Sequence, residues 1–120
     1  IRTKIMRVRV KVVIFLADKS KWGYNYCSYC PAINYPFGCA DTPNEVIANV
    51  QSYLLKLLCY REIYTNLQNL GWEFTDTSIK VPTFTDEEAV RLTEQSYSTK
   101  IVEPQIIVVD VEVPNIRGFY

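Results

Sequence analysis

Hydrophobic and polar residues alternate along the first part of the chain. Within residues 5–16, every second position is apolar: Met6, Val8, Val10, Val12 and Ile14. The positions between the first four of these are basic: Arg7, Arg9 and Lys11. Successive side chains of a β-strand point to opposite faces, so the pattern predicts a strand with one buried face.

A second strand is predicted directly after the first. The segment DKSKWG at residues 18–23 supplies turn residues, and the aromatic-rich WGYNYCSYC at residues 22–30 favours a strand. The two strands therefore form a hairpin, which Pro31 ends. A loop follows, and a short third strand is predicted at residues 37–40.

Residues that commonly begin a helix follow the predicted third strand. Thr42 offers an N-cap hydroxyl, Pro43 occupies the first helical position and Glu45 completes a capping box. Apolar residues then recur at helical spacing as far as Leu70, and Gly71 stands where a helix is terminated. The pattern predicts one helix of up to about 28 residues, with a break near residues 59–62 as the alternative, because most helices are shorter.

The last third of the chain predicts a strand, a helix and a strand. A short strand is expected at residues 72–75, followed by a loop through Pro82. A second capping box, Thr85 to Glu88, opens a helix at about residues 86–97. Pro104 and Pro114 then bracket an alternating strand whose polar positions are Asp110 and Glu112.

These elements predict an α+β fold. An antiparallel sheet from the N-terminal hairpin packs on the long helix, and a C-terminal helix and strand are added to it. The chain has 120 residues, 48% of them hydrophobic, so we expect a single domain over residues 1–120. Its core covers about residues 6–75 and its helix-strand extension about residues 82–114.

Charge and composition exclude several classes of function. Lys and Arg number 13 and Asp and Glu also number 13, so net charge provides no attraction to nucleic acid or to an anionic membrane. The chain has no histidine, which removes the commonest general base and metal ligand. No apolar run approaches the roughly 20 residues of a membrane-spanning helix, so we expect no membrane partner.

The cysteines allow three interpretations. Cys27 and Cys30 have the spacing of a zinc knuckle or a redox pair, but side chains three apart on a strand point to opposite faces. The spacing to Cys39 and Cys59 matches no familiar four-ligand site. We therefore favour free thiols that pack as small hydrophobes, with no metal and no cofactor. Free thiols and the absence of a signal-peptide core indicate the cytoplasm.

The charged faces of the first and last strands complement one another. Arg7, Arg9 and Lys11 are basic, whereas Asp110 and Glu112 are acidic. We expect these two strands to pair, within one chain or between two copies, because opposite charges on neighbouring strands attract. Two alternatives remain: the basic stripe contacts phosphates, or Asp110 and Glu112 hold a metal for hydrolysis.

The order of these segments resembles the N-terminal half of HicB-type antitoxins, over residues 6–70. The matching residues come after the predicted first strand and its turn in the chain. They are Gly23-Tyr24, Pro31-Ala32-Ile33, Gly38-Cys39, Asp41-Thr42, Glu45-Val46, Asn49 and Tyr53-Leu54. The resemblance implies a partial ribonuclease-H-like fold without nuclease activity.

The resemblance also implies a function and partners. Such a protein is not an enzyme; it oligomerises and neutralises a small mRNA-cleaving toxin by covering its active surface. The alternative is a stand-alone domain of this type that binds RNA or another protein. Many members repress their own operon through a C-terminal DNA-binding segment. Residues 82–120 match neither of the usual motifs, because a ribbon-helix-helix needs a strand before two helices.

Overall fold

The strands and helices of the protein follow the predicted order, except that a short helix, Lys19–Trp22, forms within the segment predicted as a turn. The computed structural model describes residues 5–75 and 78–114, so the predicted domain at residues 1–120 includes ten terminal residues and residues 76–77 that lie outside it. The strands are β1 Ile5–Leu16, β2 Tyr26–Cys30, β3 Tyr35–Ala40, β4 Glu73–Phe74, β5 Ile79–Lys80 and β6 Val102–Pro114. The helices are α1 Lys19–Trp22, α2 Pro43–Leu58, α3 Tyr64–Asn69 and α4 Asp86–Tyr97, with 3₁₀ turns at Pro31–Ile33 and Arg61–Ile63.

Four strands form an antiparallel sheet in the order β3-β2-β1-β6. The predicted hairpin is present, with Val13 opposite Tyr29 and Phe15 opposite Cys27. The predicted pairing of the first and last strands is also present, within one chain, over a register from Ile5 opposite Pro114 to Leu16 opposite Val102. β4 and β5 form a separate two-stranded ribbon, of which β5 was predicted as loop.

One face of the sheet carries the main core. The even-numbered apolar residues of β1 and the odd-numbered ones of β6 lie on this face, and α2 covers them. α2 contributes one residue per turn to the core: Val46, Val50, Leu54 and Leu58. As the sequence predicts, Thr42 caps this helix, and its Oγ1 accepts a hydrogen bond from the Glu45 backbone N at 3.2 Å.

The opposite face is polar only along half of β1. Beyond Lys11 the same face carries Val13 and Phe15, both buried, because α4 packs over this end of β1 and β2. Tyr97 of α4 contacts the Phe15 ring edge-on at 5.0 Å and donates a hydrogen bond to the Ser28 carbonyl at 2.7 Å. The C-terminal helix therefore completes a three-layer arrangement at one end of the sheet.

Helix α4 begins and ends where the sequence predicts. Both hydrogen bonds of its capping box are present, from Glu88 N to Thr85 Oγ1 and from Thr85 N to Glu88 Oε1, each 3.1 Å long. The longer apolar stretch is not one continuous helix. It breaks after Leu58 into the 3₁₀ turn and α3, which is the alternative that its length suggested. Gly71, with φ 104°, ends this region in the left-handed conformation that favours glycine.

The expectation of four free thiols is wrong for two cysteines. Cys27 and Cys39 form a disulfide, whereas Cys30 and Cys59 are free. The physical reason is register: β3 begins at Tyr35 and pairs with β2 so that Cys39 lies directly opposite Cys27, with 4.1 Å between their Cα atoms. Cys27 and Cys30 do point to opposite faces, which is why their own spacing forms no site.

Candidate binding surface

The five charged residues singled out in the sequence share one face of β1 and β6. Arg9 lies opposite Asp110, and Arg7 lies opposite Glu112. The Arg9 Nε is 2.7 Å from Asp110 Oδ1, and the Arg7 guanidinium is 3.6 Å from Glu112 Oε1. All four side chains are largely exposed, so they form a charged ladder on the part of the sheet that α4 leaves uncovered.

Lys11 joins this ladder to the start of α4. Its Nζ donates to the Phe84 carbonyl and to Asp86 Oδ1, both at 2.7 Å. Its register partner on β6 is Val108, an apolar residue that offers no counter-charge. Lys11 therefore anchors the loop that leads into α4 and contributes no separate positive charge to the surface.

Each basic residue of the ladder thus has an acidic partner. The hydrogen bond to Asp110, followed by its negative charge, raises the pKa of Arg9 above its usual value. A stripe that attracts phosphates needs unbalanced positive charge. The pairing of Arg7, Arg9 and Lys11 with three carboxylates leaves little of it, which weighs against the phosphate-binding alternative.

The described residues offer few groups suited to catalysis. Asp110 and Glu112 each face an arginine rather than each other. Within residues 5–75 and 78–114, no group of three or more Cys, Asp or Glu residues is placed to hold a metal ion. Burial raises the pKa of the Cys30 thiol to about 12, so this thiol stays protonated and unreactive at neutral pH.

A half-open cleft lies beside the ladder. It has a volume of about 220 Å³ and lies between β1 and the loop before α4. Its lining includes Arg9, Lys11, Pro82, Phe84 and Val108. The two cations are already held by Asp110 and Asp86, and the volume is smaller than the roughly 300 Å³ at which small-molecule pockets begin.

A second exposed feature escaped the sequence analysis. Tyr35 of β3 and Tyr53 of α2 stack with ring centroids 5.6 Å apart and planes inclined by 8°. Tyr35 is 49% exposed and Tyr53 is 37% exposed. The sequence signal was a tyrosine between the buried positions Val50 and Leu54 of the amphipathic helix; its partner on β3 required the tertiary structure. We call these two residues the tyrosine pair.

Comparison with known proteins adds no relative. No protein-family model matches the chain, and no match was found among curated proteins or among solved structures. Every helix in the described part of the chain is too short or too polar to cross a membrane.

Proposed function

We propose that this chain is a non-catalytic binding protein of the HicB antitoxin type, which neutralises a small mRNA-cleaving toxin by covering its active surface. The observation that carries the proposal is the unit β1-β2-β3-α2. Three antiparallel strands lead directly into a helix that packs on them, and the Asp41-Thr42-x-x-Glu45 segment forms the helix start. This is the arrangement that the resemblance implies for these residues.

The surface chemistry supports binding rather than catalysis. The acidic residues of the charged ladder are held by arginines, and the free thiol of Cys30 is buried. The tyrosine pair, by contrast, exposes two large amphipathic rings at the β3 side of the sheet. Aromatic side chains of this kind are enriched at protein–protein interfaces, because they combine apolar area with a polar tip. We assign the toxin-contacting surface to this pair.

Co-expression with any small basic protein that proves to be encoded next to this chain's gene tests the proposal. We expect the two proteins to purify together and the chain to restore growth that the basic protein alone arrests. Replacing both Tyr35 and Tyr53 by serine should abolish capture and rescue, because it removes the exposed aromatic area. The matched control is Tyr60→Ser, since Tyr60 is 52% exposed and lies outside the pair.

Two results would contradict this assignment. Absence of any complex with the neighbouring protein removes the antitoxin function itself. A complex that tolerates the double serine variant as well as it tolerates Tyr60→Ser leaves the function standing and rejects the surface. Circular dichroism of each variant separates loss of binding from loss of folding.

A second candidate function is RNA binding without a toxin partner. The tyrosine pair favours it, because exposed aromatic rings also stack with unpaired bases. Salt-dependent binding of single-stranded RNA by the purified protein, lost in the double serine variant, would support this candidate. The metal-dependent hydrolase is the third candidate, and it requires nuclease activity that Asp110→Asn abolishes.

The proposal extends to location and partners. A partner that cleaves mRNA implies the cytoplasm, and we propose this location together with self-association. The disulfide between Cys27 and Cys39 does not support a cytoplasmic location, because structural disulfides are rare in reducing compartments. The described C-terminal part does not form a ribbon-helix-helix for DNA binding. It is a helix followed by a strand, whereas that motif is a strand followed by two helices.

A further inference from the structure

Strand β6 lies at one edge of the four-stranded sheet and spans 13 residues. In the described part of the chain it pairs with β1 alone, so its other side is an open edge. We propose that this edge pairs antiparallel with β6 of a second copy of the chain, about a two-fold axis at Val108, and joins two four-stranded sheets into one of eight strands.

Backbone hydrogen bonding shows which groups point toward the open edge. Ala17 N donates to Asn25 O at 2.8 Å, so the odd-numbered residues of β1 direct their backbone groups toward β2. The even-numbered residues of β1 therefore direct theirs toward β6, because the direction alternates along a strand. Since Val10 is opposite Val109, the odd-numbered residues of β6 direct their backbone groups toward β1.

The even-numbered residues of β6 consequently direct their backbone N–H and C=O groups toward the open edge. They are Ile106, Val108, Asp110 and Glu112, each with one backbone N–H and one C=O. An independent contact supports this orientation of the backbone groups. The Gln51 side chain of α2 donates a hydrogen bond to the Asp110 carbonyl at 3.3 Å, from outside the β1–β6 ladder. That carbonyl can accept a second hydrogen bond, since a carbonyl oxygen has two lone pairs.

The two edges of the sheet differ in how they are protected. β3, at the opposite edge, has six residues and contains Pro36, which has no N–H to donate to another strand. On β6, residues 105–113 contain no Pro and no Lys, two residues that commonly protect an edge strand, and their charged residues are Asp110 and Glu112. The β6 edge is therefore suited to strand pairing, and the β3 edge is not.

Apolar side chains flank the open edge on both faces of the sheet. Val108 is 58% exposed on the face that otherwise carries the charged ladder. On the other face, Leu55 is 41% exposed and lies one helical turn after Gln51, the residue that reaches the edge. A neighbouring copy at this edge would remove both side chains from water, which favours association.

Charge permits the edge to pair with itself when the axis lies at Val108. With the axis at Val108, the two Val108 side chains face each other and Asp110 faces Ile106 of the second copy. Each acidic residue keeps its arginine on β1, so no carboxylate opposes another. An axis at Asp110 would place two aspartates directly opposite, which destabilises a strand pair.

This interface specifies the self-association proposed above, but it does not rest on toxin neutralisation. The tyrosine pair lies on the β3 side of the sheet, and β6 forms the other edge. A dimer through β6 therefore leaves the proposed toxin surface of both copies accessible. A monomeric protein would remove this interface and the proposed self-association but would leave toxin neutralisation standing. Absence of a toxin complex would leave the interface standing.

The molar mass in solution, measured by light scattering after gel filtration, tests the dimer. We expect wild-type protein to be dimeric and Val108→Glu to be monomeric, since it places two glutamates across the axis. Val102→Glu is the matched control: Val102 is 60% exposed, but it precedes the irregular part of β6 formed by Glu103, whose φ is 51°, and Pro104, which has no N–H. This variant should remain a dimer.

Amide hydrogen exchange supplies a second readout that does not need a variant to fold. In the wild-type protein, protection of the four outward-facing amides should rise with chain concentration, whereas protection of the odd-numbered amides of β6 should not change. A monomeric wild type, a dimeric Val108→Glu, or equal protection at all concentrations would overturn the proposal. Non-reducing electrophoresis identifies any dimer linked through the free Cys59 instead.

Discussion

Arg9 and Asp110 face each other across β1 and β6, and the Arg9 Nε donates to Asp110 Oδ1 at 2.7 Å. The two residues are 101 positions apart in the chain. Their strands are joined along an almost continuous register, so this pair lies in the ladder that connects the first and last strands of the fold. The pair is exposed, and its contribution therefore depends on geometry and ionic strength.

Charge reversal at this pair should reveal coupling between the two strands. We expect Arg9→Glu to lower the urea midpoint of unfolding, because it opposes two carboxylates on neighbouring strands. Asp110→Arg in the same protein should restore most of the loss by reversing the pair. A double-mutant cycle from urea unfolding measures the coupling, which should shrink at high salt.

The neighbouring pair Arg7 and Glu112 provides the control for that cycle. Its charged atoms are 3.6 Å apart, compared with 2.7 Å for Arg9 and Asp110. We expect weaker coupling from the same two reversals there. Zero coupling at both positions would mean that the backbone hydrogen bonds and the apolar face hold the two strands together without help from these ion pairs.

Reduction of the disulfide should destabilise the fold. Cys27 and Cys39 are 12 residues apart, and cross-linking a loop of that size stabilises a protein by about 3 kcal/mol through restriction of the unfolded chain. The double variant Cys27→Ser, Cys39→Ser should therefore lose about 2–4 kcal/mol of unfolding free energy. Urea unfolding with and without a thiol reductant measures this loss.

Cys59→Ser is the control for the disulfide experiment, because Cys59 is a free thiol. This variant should keep the response of the wild-type protein to reductant, whereas the double serine variant should no longer respond. Equal midpoints for oxidised and reduced wild-type protein would contradict the prediction. Free-thiol titration under denaturing conditions counts the reactive cysteines independently, with two expected in the oxidised protein.

Stability should fall at high pH through Tyr97. Burial raises the pKa of Tyr97 from 10.0 to about 12. Between these two values the folded protein keeps the phenol proton and the unfolded chain releases it, so the unfolded state binds fewer protons. The contribution of this group is therefore complete below pH 10 and is lost as pH rises toward 12. Urea midpoints across this range measure the effect.

Tyr97→Phe separates this residue from the others that titrate nearby. Burial also raises the pKa of Tyr29, and it raises that of Cys30 from 9.0 to about 12, so some alkaline loss should persist in the variant. The slope of stability against pH should nevertheless be shallower than in the wild type. An unchanged slope would show that Tyr97 ionises alike in the folded and unfolded states.

Local signals in the sequence were sufficient for most elements. The capping box at Thr85 and Glu88 uses contacts within four residues, and α4 begins at the predicted position. The alternation along β1 and β6 likewise follows from the geometry of a single strand, and their charges indicated the pairing. β5 was missed, since its two residues are too few for a periodic pattern; β4 is equally short and was predicted only as part of a longer strand at residues 72–75.

The candidate binding surface was only partly accessible to sequence reasoning. The members of the charged ladder were recognisable, because each lies at a polar position of an alternating strand. The hydrogen bonds of Lys11 to Phe84 and Asp86 could not be recognised, since these residues are more than 70 positions away in the chain. The tyrosine pair was also missed, because Tyr35 and Tyr53 meet only when α2 packs against β3.

By itself, the sequence determined the α+β class, the starts of α2 and α4 and the buried face of the two long strands, because capping and side-chain alternation act over a few residues. The tertiary structure decided what depends on register and on docking. The pairing of β2 with β3 places Cys39 opposite Cys27 and turns two apparent free thiols into a disulfide. The docking of α4 buries Val13 and Phe15 and leaves the charged ladder exposed. Register and docking join residues distant in the chain, and apart from the complementary charges of β1 and β6 no sequence pattern indicated them.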